Sequence, residues 1–268
     1  MAWIRRISHL STSEKEGLYR ILIPPTLFHR FRIDPLSLTI SERGRVVHFL
    51  CPEGDGTCIV EVRWPDMAEP LYFIQMTDSS DVTQLDWDFF MANDPESPRF
   101  ETHTDKEGKD TLFGWASRNY GEEEKAMNAG LFPGQTRKGL GLTGQSIEVM
   151  EFFCRIFDIK SIRIEALFYH NAITYERHGF CYFSGYRLMQ RIHEQFQPGG
   201  KISAKLDGHS PFRRPELAQT VRGRSWAIHD GILSEIEDDL LEEGWVSPRM
   251  YKMVGKSRPM VTFPDPLY

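Results

Sequence analysis

The sequence contains few cysteines, no long apolar run and no excess of basic residues, and each absence excludes a class of protein. Four cysteines among 268 residues are too few and too scattered for a disulfide framework or a zinc site. The apolar runs are far shorter than a membrane-spanning helix, and the first residues lack the apolar segment of a secretory signal. A net charge of −6 disfavours a surface that follows nucleic-acid phosphates. The composition therefore predicts a cytoplasmic protein without metal, nucleic-acid or membrane partners.

The sequence does contain enough apolar and aromatic residues for well-buried cores. Hydrophobic residues make up 40% of the chain and aromatic residues 12%, which is typical of folded rather than disordered proteins. Two of the cysteines, Cys51 and Cys58, flank a turn-rich segment and can face each other across a hairpin, where we expect free thiols. Cys154 lies in an apolar helical stretch and is expected to be a core residue.

The order of elements divides the chain into three segments, of which 1–69 is the first. A short helix is followed there by β-branched and aromatic residues at 46–50 and 58–64, on either side of a glycine turn. This pattern is typical of a hairpin. We expect an N-terminal β-rich unit, with a linker between Pro65 and Pro70.

The second segment, 70–190, alternates strands and helices and is predicted to form an α/β domain with a mixed sheet. Its expected elements are a strand at 72–77, a helix at 82–91, a hairpin at 100–104 and 111–116, a strand at 124–132, a glycine turn at 136–141, a helix at 142–157, a strand at 161–168, a helix at 171–178 and a strand from 180. The helix at 142–157 has so wide an apolar surface that it must pack against a sheet.

The third segment, 191–268, is expected to be a C-terminal helical extension. Its main element is an amphipathic helix at 227–243, which Gly244 is expected to end. The acidic end of this helix is typical of a solvated face. Its apolar face is compatible with packing on the main domain or with a homodimer.

A glycine-rich turn opens the helix at 142–157. Glycines let a ligand approach the backbone, while the N–H groups and dipole of a helix start attract phosphate. Positively charged residues add to this effect within the turn, which reads Thr136-Arg137-Lys138-Gly139-Leu140-Gly141. Two other interpretations stay open: a connecting turn without a ligand, and a dinucleotide-binding fingerprint, Gly139-x-Gly141-x-x-Gly144, with Glu165 as the ribose partner.

The turn, the motif Tyr175-Glu176-x-x-Gly179-Phe180 one strand later, and the order of elements over 70–190 resemble the GCN5-related N-acetyltransferase superfamily. One position departs from the family pattern, because Thr136 stands where the family has Arg or Gln. The resemblance implies an acyl-CoA N-acyltransferase fold. It also implies acetyl-CoA as the donor, a small-molecule or peptide amine as the acceptor, and direct transfer in a ternary complex.

The resemblance also implies roles for individual residues. It assigns the pyrophosphate contacts to Arg137, Lys138, Gly139, Leu140, Gly141 and Leu142. It makes Asn171 a contact of the pantetheine arm and Tyr175 the general acid that protonates the departing thiolate. Glu124, on the expected fourth strand, is the candidate general base, and His170 is an alternative base or proton relay. Without the turn, we would interpret Tyr175 as a packed aromatic, the acidic run at 122–124 as solvated and His170 as structural.

Three other functions stay open at this point. The first is a non-catalytic module that binds acyl-CoA as a regulatory ligand or mediates assembly. The second is an enzyme that uses a longer acyl chain, related to acyl-homoserine-lactone synthases, although their acidic N-terminal signature is not evident here. The third is an NAD-binding oxidoreductase, against which the expected hairpins before Gly139 argue.

Overall fold

The structure is a computed structural model that describes residues 3–80, 83–114, 117–258 and 260–264. The chain forms two compact units, and each is assembled from segments that are far apart in sequence. The first unit comprises Met1–Glu96, Gly139–Ile164 and Tyr251–Ser257, and the second comprises Ser97–Lys138, Glu165–Met250 and Arg258–Tyr268. The expected division into 1–69, 70–190 and 191–268 stays a prediction.

Nine α-helices and nine strands occur in the described ranges. The helices are α1 (Trp3–Ser8), α2 (Thr12–Tyr19), α3 (Pro25–Arg30), α4 (Tyr120–Asn128), α5 (Thr143–Ile156), α6 (Tyr169–Arg177), α7 (Tyr186–Phe196), α8 (Lys201–Ala204) and α9 (Val221–His229). The strands are β1 (Thr39–Ile40), β2 (Gly44–Arg45), β3 (Val47–Leu50), β4 (Thr57–Val62), β5 (Tyr72–Asp78), β6 (Gln84–Ala92), β7 (Ser161–Glu165), β8 (Cys181–Tyr182) and β9 (Arg249–Met253). Short 3-10 helices cover Arg20–Leu22, Leu112–Gly114, Pro215–Gln219 and Ile232–Glu235.

Seven of the strands form a mixed sheet in the order β3-β4-β5-β6-β7-β9-β8. The first four are antiparallel neighbours in chain order, whereas β6 and β7 run parallel. Strands β1 and β2 form a separate antiparallel pair. The expected α/β class with a mixed sheet is therefore confirmed, and so is the hairpin of segment 1–69, which corresponds to β3 and β4.

The core of the first unit lies between one face of this sheet and α5. Strands β4 and β5 alternate buried and partly exposed residues, as expected for strands with one face in a core. Helix α5 contributes the buried side chains of Ile147, Met150, Phe153 and Cys154. The predictions of a strand at 72–77 and an apolar helix at 142–157 are thus confirmed.

The second unit has a core around Trp226 of α9. Its indole stacks on Phe212 with ring centroids 5.1 Å apart and donates a hydrogen bond to the carbonyl of Leu131 (2.9 Å). Ala126 and Met127 of α4 complete this cluster of buried residues. Helix α4 is therefore held in place by packing in the second unit.

Two predictions about segment 82–116 are wrong. The expected helix at 82–91 is strand β6, in which buried Leu85 and Trp87 alternate with polar residues; Val82 itself lies outside the described residues. The expected hairpin at 100–104 and 111–116 is reduced to one bridge between Thr104 and Asp110, followed by a 3-10 helix. Residues 115 and 116 are not described. The N–H of Phe100 donates instead to the carbonyl of Thr136 (2.8 Å), so the start of this segment pairs outside the expected hairpin.

Two further predictions are wrong for reasons of local propensity. The expected strand at 124–132 is helix α4, because its first half is rich in Glu, Lys, Ala and Met, which are good helix formers, and has no β-branched residue. The expected helix at 227–243 ends early, since α9 stops at His229. Gly231 then adopts a left-handed conformation with φ of +83°, which interrupts an α-helix.

Candidate functional site

The second half of the glycine turn, from Gly139, lies at the carboxyl end of β6 in the first unit. Gly139 forms an antiparallel bridge with Asn93, and the N–H of Leu140 donates to the carbonyl of Ala92 (2.9 Å). The strand that contacts the turn is therefore β6, although many residues separate the strand and the turn in sequence. The turn leads directly into α5, and α5 leads into β7, which is parallel to β6.

The start of α5 has the features of an anion site. Its N-cap residue, Leu142, makes no side-chain capping hydrogen bond. The Leu142 side chain therefore does not occupy the first N–H groups of the helix. Gly141 has a φ of +70°, and a Cβ atom built there would have nothing within 4 Å. The backbone is therefore open on this side, and the positive end of the helix dipole lies next to it.

Part of the predicted phosphate cradle is used within the protein. The N–H of Lys138 donates to Ser97 Oγ (3.1 Å), and Arg137 Nη1 donates to the carbonyl of Ser97 (2.5 Å). These three residues belong to the second unit. The N–H of Leu140 is also engaged, as described above. The resemblance assigned pyrophosphate contacts to the backbone of 137–142. Within that segment, Gly141 and the first turn of α5 are the best candidates for binding a phosphate.

The parallel ladder between β6 and β7 ends six residues before the end of β6, where this turn lies. Their ladder has three pairs and ends with Asp86 opposite Arg163, whereas β6 continues to Ala92. The Arg163 guanidinium closes the ladder with two hydrogen bonds to the Asp86 carboxylate, both 2.6 Å long. Beyond Asp86 the two strands are no longer paired in the ladder, and α/β sheets bind ligands at the carboxyl ends of parallel strands.

A β-bulge interrupts β6 within the part beyond this ladder. The register against β5 shifts between Gln75 and Met76, so that Asp88 is the extra residue of β6. Thr77 Oγ1 donates to the Asp88 carboxylate (2.6 Å). Desolvation raises the pKa of Asp88, and the neighbouring Asp86 carboxylate raises it further. The structure therefore has a carboxylate with a raised pKa on the strand next to the glycine turn, a residue that the sequence analysis did not select.

The candidate general acid and pantetheine contact lie on α6 of the second unit. Tyr175 is 7% exposed, and its ring centroid is 5.4 Å from that of Phe180. Asn171 Oδ1 accepts a hydrogen bond from the N–H of Phe168 (3.1 Å) and so caps the start of its own helix. The two residues are four positions apart and share a helix face. A capping role accounts for Asn171, while its contact with a pantetheine arm stays a prediction.

Glu124 does not lie on a strand. It belongs to α4, is about half exposed, and approaches Arg214 at 4.0 Å. The argument for Glu124 as the base was its expected position on the fourth strand, and that premise is lost. Its catalytic role is left without structural support.

His170 is enclosed in the second unit and pairs with a serine. Its Nδ1 lies 2.9 Å from Ser225 Oγ, and its ring stacks on those of Phe132 and Phe168. Burial lowers the pKa of His170 to about 3, with a smaller contribution from His229. Since His170 is therefore neutral near pH 7 and buried, the near-neutral pKa that suggested a base or relay is absent.

The sequence analysis also missed a buried ionic network in the second unit. Arg118 forms ion pairs with Glu123 and with Asp230 (2.8 Å), and His229 Nε2 lies 3.3 Å from Glu123. Burial raises the pKa of Glu123, but the hydrogen bonds from His229 and Arg118 outweigh it and leave that pKa lowered. Arg213 extends the network through Asp230 (2.8 Å). These residues are scattered between 118 and 230, so no local pattern could reveal them.

In the parts of the chain that the structure describes, no helix has the length and apolar character needed to cross a bilayer. The same residues include no group of three or more His, Cys, Asp or Glu side chains arranged to hold a metal ion. Comparison of the chain with family models, with curated proteins and with solved structures gave no match.

Proposed function

We propose that this protein is an acyl-CoA-dependent N-acyltransferase that transfers an acetyl group from acetyl-CoA to an amine. One observation carries the proposal: in the first unit, β6 and β7 pair in parallel as far as Asp86 and Arg163, β6 continues beyond this ladder, and the turn 139–142 with the start of α5 lies at the carboxyl end of β6. This is the strand, glycine turn, helix and strand arrangement that the sequence resemblance requires, with β6 in place of the expected strand at 124–132.

The chemistry of coenzyme A fits these two features. Its diphosphate suits Gly141 and the uncapped start of α5, where the helix dipole favours negative charge. Its pantetheine arm is an extended chain with two amide groups, which can hydrogen-bond to the edge of a strand as an added strand does. The part of β6 beyond its ladder with β7 offers such an edge along the strand that leads to the proposed diphosphate position.

The transfer step requires an amine without a proton and a leaving group that gains one. A neutral amine attacks the thioester carbonyl, the carbon–sulfur bond breaks, and the CoA thiolate takes a proton. We assign that proton to Tyr175, as the resemblance implies. Asp88 replaces Glu124 as the candidate base, because it is the carboxylate on β6 whose pKa is raised.

The rival dinucleotide interpretation has less support. A dinucleotide fold is built from repeated βαβ units, whereas β3, β4, β5 and β6 form an antiparallel series before the turn. A non-catalytic acyl-CoA-binding module uses the same turn and differs only in the absence of turnover. Turnover assays with acetyl-CoA and an amine panel separate this alternative from the proposed enzyme.

Calorimetry with two matched glycine variants tests the binding site. Gly141 and Gly44 have φ values of +70° and +71°, and a Cβ at either position meets nothing within 4 Å. Gly141→Ala and Gly44→Ala therefore cost the same backbone strain, about 1 kcal/mol. We expect Gly141→Ala to weaken binding of acetyl-CoA by about tenfold or more, since its methyl group faces the diphosphate, and Gly44→Ala to leave it unchanged. No heat with acetyl-CoA or CoA for the unmodified protein contradicts the proposal.

A further inference from the structure

Two cysteines of the first unit face each other at the end of the β3–β4 hairpin. The last pair of that ladder is Leu50 with Ile59, and one more step in the same register sets Cys51 opposite Cys58. Both cysteines are free thiols. Opposed residues of an antiparallel pair have Cβ atoms about 4.5–5.5 Å apart, close to the separation of about 3.5–4.5 Å that a disulfide needs. The hairpin therefore holds two thiols where small side-chain movements can join them.

Two residues of α2 contact this pair. Tyr19 Oη lies 3.4 Å from Cys51 Sγ in a buried position. The Lys15 ammonium donates to the carbonyl of Cys51 (3.3 Å) and to that of Ser8 (3.1 Å), which fixes the cation beside the cysteine. The Cys51 sulfur thus has a hydroxyl and a positive charge near it in addition to the second thiol.

These neighbours make the two thiols unequal. Hydrogen bonds from Cys58 and Tyr19 and the charge of Lys15 lower the pKa of Cys51 to about 6, although burial and Asp55 act in the opposite direction. Burial raises the pKa of Cys58 well above its usual value. Cys51 is also the more accessible of the two, since it is 9% exposed whereas Cys58 is fully buried. Its sulfur, beside Tyr19 and Lys15, is therefore the one that an oxidant meets first.

We propose that Cys51 and Cys58 form an oxidisable dithiol site, in which Cys51 reacts with a peroxide and Cys58 then closes a disulfide across the hairpin. In the first step the Cys51 thiolate attacks one oxygen of hydrogen peroxide. The oxygen–oxygen bond breaks, Cys51 becomes a sulfenic acid, and the hydroxide released takes a proton from solvent to give water.

The second step uses the neighbouring thiol. Cys58 loses its proton as its sulfur attacks the sulfenic sulfur of Cys51, the sulfur–oxygen bond breaks, and a second water leaves. In total two thiols are oxidised to one disulfide and one peroxide is reduced to two waters. The loop that the disulfide closes is short, so the bond adds less to the stability of the fold than one that closes a longer loop.

The test compares Cys51 with Cys181, which is an internal control because both are 9% exposed. The reduced full chain is treated with iodoacetamide at pH 7, and the modified peptides are followed by mass spectrometry. We expect Cys51 to react about tenfold faster than Cys181, since the two are equally exposed and Cys51 has Tyr19 and Lys15 beside it. In Tyr19→Phe, which removes a hydrogen bond to Cys51, the rate should fall. Equal rates at Cys51 and Cys181 in the unmodified protein overturn the proposal.

The oxidation itself is tested with hydrogen peroxide. Cleavage after Glu53 separates Cys51 from Cys58, so the two resulting peptides stay linked only if the disulfide has formed. We expect this linked pair in the unmodified protein and in Cys181→Ser. In Cys58→Ser the sulfenic acid of Cys51 should persist and react with dimedone. Two outcomes contradict the assignment: oxidation of Cys51 to the sulfinic acid without a disulfide, and a disulfide that joins other cysteines. Both are measured in the unmodified protein, so neither depends on whether a variant folds.

Discussion

Leu140 donates its backbone N–H to the carbonyl of Ala92, and this hydrogen bond of 2.9 Å ties the glycine turn to the carboxyl end of β6. The neighbouring bridge between Gly139 and Asn93 strengthens the same junction. Because of it, the part of the turn from Gly139 onward is a fixed part of the first unit and not a free loop. The proposed diphosphate position thus rests on backbone contacts, which depend little on side-chain identity.

Replacing Tyr175 by Phe tests the proposed proton donor. The change removes only a hydroxyl from a side chain that is 7% exposed, so the fold should be retained. We expect kcat with acetyl-CoA to fall by about 100-fold or more, the usual contribution of a positioned acid, while the Kd for CoA stays the same. Tyr120→Phe, at a tyrosine that is 58% exposed, is the control. An unchanged kcat in Tyr175→Phe removes this residue from the mechanism.

Substitutions of the two candidate bases, Asp88 and Glu124, should have different effects on kcat/KM and its pH profile. Asp88→Asn should lower kcat/KM by about 100-fold and abolish the acidic limb of its pH profile. In the unmodified enzyme that limb should lie above the ordinary Asp pKa of about 3.9, because desolvation raises the pKa of Asp88. Glu124→Gln should leave the profile unchanged. If Asp88→Asn retains the pH dependence, the carboxylate serves only the bulge, where Asn can still accept the hydrogen bond from Thr77.

Local patterns in the sequence identified the elements whose contacts are local. The β3–β4 hairpin, β5, α5 and α6 were predicted because their apolar residues repeat with the period of a strand or helix. Segment 82–91 was mistaken for a helix because the Asp and Ser residues before it resemble a helix cap. Its alternation of Leu85 and Trp87 with polar residues was the signal that indicated a strand.

The candidate site depends on a contact that no local pattern contains. Asn93 and Gly139 pair across a long stretch of sequence that belongs mostly to the second unit. The sequence analysis therefore took the nearest segment, 124–132, as the strand before the turn, and placed Glu124 on it. Asp88 was overlooked for the same reason, since its importance follows only from β6 being that strand.

The ion pair between Glu123 and Arg118 should stabilise the second unit. Glu123→Gln leaves the buried Arg118 with Asp230 as its remaining carboxylate partner. The loss of one charged hydrogen-bond acceptor should lower the free energy of unfolding by about 2 kcal/mol. The adjacent Glu122 pairs with Lys125 at the surface, so Glu122→Gln should cost about 0.3 kcal/mol. Urea unfolding at pH 7 measures both values. Equal effects of the two substitutions contradict a stabilising role for the buried pair.

This contribution should also depend on pH in a defined direction. The folded-state pKa of Glu123 is lowered, so its stabilising effect is present above the unfolded-state pKa of about 4.3 and is lost as the pH falls through the folded-state value. The difference in unfolding free energy between Glu123→Gln and the unmodified protein should therefore shrink below about pH 4. A difference that stays constant from pH 7 to pH 3 disagrees with this assignment.

His170 should lower the stability of the protein as the pH falls below about 6.5, which is a higher range than the one in which Glu123 acts. Its pKa is about 3 in the folded state because of burial and about 6.5 in the unfolded chain. As the pH falls from 6.5 towards 3, the unfolded chain binds a proton that the folded protein does not, so stability is lost by up to about 1.4 kcal/mol per pH unit. His170→Phe keeps an aromatic ring between Phe132 and Phe168, and its unfolding free energy should be lower at pH 7 but flatter between pH 6.5 and pH 5. Ser225→Ala is the control, because it removes only the hydrogen bond to His170; its unfolding free energy should change with pH as steeply as that of the unmodified protein. If His170→Phe also shows that steepness, the pH dependence belongs to another group.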